Sequence, residues 1–183
     1  MSTSLALFDW QKHSDLLAGP TLEHLRQLPS ELIHGVTKND AALADTYIWA
    51  EQFSVPLDQT ANVVIVETRI TRGAERKLAA VLVLADSRAD LNGSAKRALG
   101  SAKVSFAPTA RAEQELCMES GGMSPIGLPS DVPLLVDERV LSVKKLYLGS
   151  GLRHSKLVVD GRIFREFANT TIAEGIATIT EQE

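Results

Sequence analysis

The chain has 183 residues, 44% hydrophobic and 23% charged, and carries a net charge of −4. That length suits one domain with a closed apolar core, and the composition is not that of a disordered chain. The acidic balance excludes a protein that coats nucleic acid with uniform positive charge, and the lone cysteine, Cys117, excludes an internal disulfide or a four-cysteine zinc site.

In chain order, residues 1–20 read as an N-terminal extension ending at Pro20, and residues 21–183 as a single domain. The opening MSTSLALFDW has no basic stretch ahead of an apolar one, and the longest apolar run, Leu78 to Ala85, is far too short for a bilayer. The expected location is cytoplasmic, with no membrane partner. Thr21 is placed to cap a short helix carrying Leu22, Leu25 and Leu28, stopped at Pro29. Asn39 or Asp40 opens a second helix on which Leu43, Tyr47, Ala50 and Phe53 share a face, read as core packing, with Pro56 beyond its end. Asn62–Thr68 and Lys77–Leu84 are strands joined as a hairpin around Gly73, the second apolar on both faces and so central in a covered sheet. A helix from Asp90 or Asn92 to Gly100, a strand over Lys103–Ala107 and a helix over Thr109–Ser120 follow. Short strands at Pro133–Asp137, Lys145–Gly149 and Lys156–Asp160 and a helix around Ile163–Ala168 complete the pattern. Strands outnumber any regular strand–helix alternation. The expected fold is therefore α/β with a mixed, mostly antiparallel β-sheet core flanked by helices.

Most catalytic signatures are missing. There is no G-x-x-x-x-G-K-[ST], no G-x-G-x-x-G and no G-x-S-x-G. His13, His24, His34 and His154 never pair at ligand spacing, so no metal is expected. Cys117 reads as a small buried apolar residue. Two glycine-dense stretches remain. Gly121–Pro129, GGMSPIGLP, joins proline stiffness to glycine's close backbone approach, and such a loop either presents amides to an oxyanion or simply connects two elements. Gly149–Lys156, GSGLRHSK, sets small residues beside Arg153 and Lys156, which suits an anionic ligand and equally a turn. The surrounding Lys144–Arg165 contains Lys144, Lys145, Arg153, Lys156, Arg162 and Arg165, either a phosphate-facing surface or a solvated one.

Taken together, VLVLADSRADLN, a helix ending LG, AKVSFAP, GGMSPIGLP, PLLVDERVL and YLGSGLRHSKL follow one another in an order that resembles the YbaK/ProX aminoacyl-tRNA editing family. They are also similar to the editing insertion of bacterial prolyl-tRNA synthetases. The likeness runs from about Thr21 to Ala173, and G-G-x-S-P-I-G is its most specific part. It implies a pocket for the aminoacylated 3′ end of tRNA, hydrolysis of the ester of a small mischarged amino acid in trans, and no cofactor or metal. The implied partners are aminoacyl-tRNA and, second to it, an aminoacyl-tRNA synthetase, with no DNA. The substrate-binding residues it implies are Gly121, Gly122, Met123, Ser124, Pro125 and Gly127 on the first loop, and Gly149, Ser150, Gly151 and Arg153 on the second.

One departure bears on the chemistry. The resemblance places a lysine just before the first long strand, and Ala61 occupies that position, followed by Asn62. At the second glycine turn, where many relatives are acidic, stands Lys156. Asn62 and Lys156 are thus the expected catalytic pair, with the ammonium moved to the opposite strand. The alternative is a silent module that binds aminoacyl-tRNA without turnover.

Overall fold

The computed structural model describes residues 5–180, and its centre is the strand whose sequence is apolar on both faces. The first half of the chain forms α1 (Gly19–Leu25), β1 (Ile33–Lys38), α2 (Thr46–Phe53), β2 (Ala61–Arg69), β3 (Lys77–Leu84), β4 (Ser87–Ala89) and α3 (Ser94–Ala98). The second half adds β5 (Lys103–Phe106), α4 (Thr109–Leu116), β6 (Leu134–Asp137), β7 (Leu146–Gly149), β8 (Ser155–Val159), β9 (Thr170–Ala173) and β10 (Ala177–Ile179). A five-stranded sheet runs β5-β2-β3-β6-β9, a three-stranded sheet β1-β8-β7, and β10 pairs with β4. Among the strand pairs of the described residues, only β3–β6 and β6–β9 are parallel, with one isolated parallel bridge between Thr60 and Tyr147. The fold is the expected mixed α/β arrangement.

Alternation along β3 explains its uniform apolarity. Leu78, Ala80, Leu82 and Leu84 enter the main core between the two larger sheets, with Leu146, Leu148, Leu157 and Val159 opposite. Ala79, Val81 and Val83 face the other way, under Ala95 of α3 and Ile176. A third cluster packs Trp49 and Ala50 of α2 on Tyr147 and Val158, the outer face of the three-stranded sheet. Burial on both faces of the central strand is the hydrophobic contribution that the sequence pattern announces.

Several elements differ from expectation. β1 carries His34 and Gly35, and a register shift between Ile33 and Gly35 breaks the alternation that would have marked it. The helix at Thr21 starts earlier, at Gly19, and Thr21 is buried within it, its hydroxyl donating to the Ile126 carbonyl at 3.1 Å. Asp40 caps only a 3-10 turn; α2 begins at Thr46 and is capped by Asp45, whose carboxylate accepts from the amides of Tyr47 and Ile48. Its buried residues are Trp49 and Ala50, so Tyr47 turns outward. The helix after Pro108 ends at Leu116 because Cys117 is left-handed (φ 52°), which turns its side chain out to solvent rather than into the core. The stretch around Ile163 is a 3-10 helix over Gly161–Glu166. Of the segment before Pro20, Trp10, Leu16, Leu17 and Ala18 are buried in the main core. Among the described residues no helix is long and apolar enough to cross a membrane, and no cluster of three His, Cys, Asp or Glu could hold a metal.

Candidate active site

The two glycine-dense stretches lie against each other. The Gly151 amide donates to the Gly122 carbonyl at 2.7 Å, the Glu119 amide to the Gly151 carbonyl at 2.8 Å, and the Arg153 amide to the Glu119 carboxylate at 2.7 Å. Two positions are glycine by necessity of that approach: a methyl group on Gly149 would overlap the Met123 carbonyl oxygen, and one on Gly122 would overlap the Leu152 carbonyl. Most amides of the first loop are consumed internally. Gly122 donates to Glu119, Ser124 to the Met118 sulfur, Ile126 to the Ser124 hydroxyl, and Gly127 to His24 Nδ1. The amides of Gly121 and Met123 have no acceptor among the described residues, and both residues line a cavity of about 450 Å³.

The opposite wall is the free edge of β2. β5 pairs with β2 only over Val66–Arg69, the Ala107 amide adds one bond to the Ile65 carbonyl at 3.0 Å, and Pro108 has no N–H to continue the ladder. The first half of β2 therefore has β3 on one side and no ladder partner among the described residues on the other, where Thr60, just ahead of the strand, bridges to Tyr147 of β7. The cavity occupies that side and wraps the edge, touching Ala61, Val63 and Ile65 from the core-facing side and Asn62 and Val64 from the other. No side-chain partner for Asn62 is present among the described residues.

Lys156 forms the floor. On β8 it alternates with Leu157 and so points, like Val158, toward α2; it is 5% exposed. Its ammonium donates to the Ala44 carbonyl at 3.3 Å and the Thr46 hydroxyl at 3.5 Å, and stands 5.8 Å from the centre of the Trp49 ring. It makes no ion pair among the described residues. Burial lowers its pKa to about 8 against the opposing field of Asp45. Near neutral pH it is still a cation, held in a cavity with Asp45 nearby but no carboxylate of the described residues in direct contact. That is the arrangement that attracts an anion or a developing oxyanion.

Of the residues singled out in the sequence, Asn62, Gly121, Met123, Gly149 and Lys156 line this one cavity together with Ala61. The others stand behind it. Gly122, Gly127 and Gly151 are backbone contacts within and beneath the loops. Ser124 and Pro125 are buried, the Ser124 hydroxyl accepting from Ile126. The Ser150 hydroxyl bonds Ser155 Oγ at 2.6 Å, and Arg153 donates to the Ser120 carbonyl at 3.0 Å. The Lys144–Arg165 stretch is not a free basic face: Asp160 pairs with Arg162 at 2.8 Å and Lys144 at 3.9 Å, and Lys156 is buried. Sequence reasoning missed Asp45, Thr46 and Phe106 as lining residues, and Tyr47, read as core, is 49% exposed at the rim. The one local signal was Pro108, which stops β5 and opens the edge.

The family model described as an aminoacyl-tRNA editing domain matches residues 42–167, which takes in both loops, β2 and Lys156. No curated protein matches the chain. Among solved structures, a candidate trans-editing enzyme for prolyl-tRNA synthetase superposes with a TM-score of 0.70 at 16% identity, covering 89% of this chain and 96% of that one. A hypothetical protein superposes with a TM-score of 0.67 at 22% identity, covering 78% of this chain and 90% of that one. At these identities the likeness to the two structures is one of fold.

Proposed function

The chain belongs to the aminoacyl-tRNA editing domain family, and from that premise we propose that it acts in trans, in the cytoplasm, to hydrolyse the ester joining a small mischarged amino acid to the 3′ end of tRNA. The observation that carries the reading is the buried, unpaired Lys156 ammonium in the same cavity as the free amides of Gly121 and Met123. An ester is already activated, so positioned donors and a water suffice without a protein nucleophile. The ester carbonyl oxygen sits against the two amides, and Lys156 neutralises the charge it gains when water adds to the carbonyl carbon. The C–O bond to the ribose then breaks, the ribose oxygen takes the proton lost by the water, and amino acid and tRNA leave. Asn62, with its amide unpaired, orients the water together with the substrate's neighbouring ribose hydroxyl. The Asp45 carboxylate is occupied as the cap of α2 and sets the field at Lys156.

A panel of tRNAs charged with small non-cognate amino acids tests this. Ester loss above background is expected for at least one of them, falling about 10²-fold or more in Lys156→Ala. Adding Ala61→Lys to that variant returns an ammonium to the same cavity from β2, where Ala61 is 4% exposed, and should restore part of the rate. Folded protein that binds charged tRNA saturably and hydrolyses no member of the panel would make this a silent binding module instead.

A further inference from the structure

Phe106 lines the cavity yet is 73% exposed and belongs to none of the three apolar clusters. It ends β5, the edge strand of the five-stranded sheet. Around that edge the fold gathers cations from two distant parts of the sequence. Arg69 and Lys103 are paired across β2 and β5. The Ser101 amide donates to the Lys96 carbonyl at 3.1 Å while its hydroxyl accepts from the Arg69 amide at 3.0 Å, which brings the Lys96–Arg97 end of α3 to the same place. None of these four cations makes an ion pair among the described residues. Residues 95–107 contain no acid at all. The nearest carboxylate on β2, Glu67, is buried and neutralised by Arg76 at 2.9 Å and Arg111 at 2.8 Å.

The other rim has the opposite sign. Past Tyr47 lies a second hollow lined by Glu51 and Asp58, with Asp86 beside them neutralised by Arg139, and Asp45 stands at the cavity wall itself. A polyanion approaching from that side is repelled, and one approaching along β5 is drawn in, despite the protein's overall negative charge. Alternation sets Phe106 on one face of β5 and the Arg69–Lys103 pair on the other. A strand crossing this edge therefore meets an unpartnered ring on one side and unpaired cations on the other, the two elements that hold single-stranded nucleic acid: the ring stacks a base, the cations track the backbone.

Resting on the editing reading, we infer that the single-stranded 3′ end of the RNA enters along the β5 edge, with a nucleobase stacked on Phe106 and phosphates held by Arg69, Lys96, Arg97 and Lys103. The tRNA body then lies on the hairpin side of the sheet, away from α2. The β5 edge and not the loops thus supplies most of the RNA affinity, and it does so without choosing a sequence.

The test is binding of an uncharged RNA minihelix with a single-stranded 3′ end carrying 2-aminopurine near its terminus, so that the readout is independent of turnover. Wild type should change the fluorescence of the probe on binding. Phe106→Ala should abolish that change and weaken binding about tenfold or more, while Phe106→Tyr keeps both. Arg69→Ala combined with Lys103→Ala should weaken binding and lower the salt slope by about 1.4, two phosphates' worth. Lys12→Ala, in the segment before α1, should bind as wild type. All are exposed or half-buried surface positions, and far-UV circular dichroism checks that each variant is folded. Wild type that fails to bind, or edge variants that bind like wild type with the same salt slope, would overturn the inference. Hydrolysis of a charged minihelix with the edge variants unimpaired sinks this path and leaves the editing reading standing; RNA held along this edge by a protein that cleaves no ester does the reverse.

Discussion

The two walls of the cavity are built on opposite principles. On the loop wall most amides are spent inside the protein: Gly122, Ser124, Ile126, Gly127 and Gly151 all donate to internal acceptors, while those of the cavity-lining Gly121 and Met123 have no acceptor among the described residues. On the strand wall the edge of β2 over Ala61–Val64 has no ladder partner among the described residues, and the ring of Phe106 joins no apolar cluster. A wall of the first kind resists deformation and can hold two amides where an oxyanion forms. On the second wall the exposed ring of Phe106 costs little to alter, because it packs on no cluster, whereas Ala61, Val63 and Ile65 behind it belong to the core side. The difference teaches where stability and function separate: variants of the loops should lose both, variants of Phe106 only function.

The largest effect is expected where the loops touch. Gly149→Ala places a methyl group into the Met123 carbonyl, backbone against backbone, with no flexible side chain to yield. A loss of about 2–4 kcal/mol is expected from the urea midpoint, together with loss of any activity. Phe106→Ala, on the other wall, should stay within about 0.5 kcal/mol of wild type. Equal stability of the two variants would break the contrast.

Lys156 sharpens it, since here stability and function should move in opposite directions. Its pKa of about 8 lies below the ordinary 10.5, so the unfolded chain binds the proton more tightly than the folded one. The folded state therefore carries an electrostatic burden below pH 8 that is relieved as pH rises from about 8 toward 10.5. Lys156→Met removes the charge and keeps the bulk. It should be neutral or stabilising by about 1–3 kcal/mol at pH 7 while hydrolysis collapses, and the advantage should shrink above pH 8. In the wild type the enzyme-dependent rate, after subtraction of spontaneous hydrolysis, should fall above pH 8 as the ammonium is lost. A rate that instead rises through pH 8 with the same midpoint would make the neutral amine a base and refute the oxyanion role.

The legibility of the site follows the same division. The loop wall could be read from sequence because contact between backbones admits only glycine, and glycine clusters are visible; the alternation-free apolarity of Lys77–Leu84 likewise made β3 central. The edge wall could not, since an open edge is defined by a strand that is absent, and its cations come from residues 69 and 96–103, which meet only through sheet pairing. The basic stretch that sequence did display, Lys144–Arg165, is mostly spent on Asp160, on loop carbonyls and on burial. β1 escaped because its bulge at Gly35 interrupts the pattern, and β4, β9 and β10 because they are mostly half-buried or exposed and lack the apolar run that announces β6 and β7 at similar length.

The smallest expected effect concerns what steadies the loop wall from behind. The Gly127 amide donates to His24 Nδ1 at 3.1 Å, and the His24 ring lies 4.6 Å from that of Phe167. That hydrogen bond requires the unprotonated nitrogen, and burial lowers the His24 pKa below its ordinary 6.5. Because the unfolded chain takes the proton first, the contribution is whole above pH 6.5 and fades as pH falls toward the lower folded value. His24→Phe keeps the ring packing and deletes the acceptor, so it should cost about 1 kcal/mol at pH 7.5, and the gap to wild type should narrow by pH 5.5. Identical pH slopes for the two proteins would show that Gly127 does not need this acceptor, and the loop wall would then stand on its contacts with Leu152 and Gly151 alone.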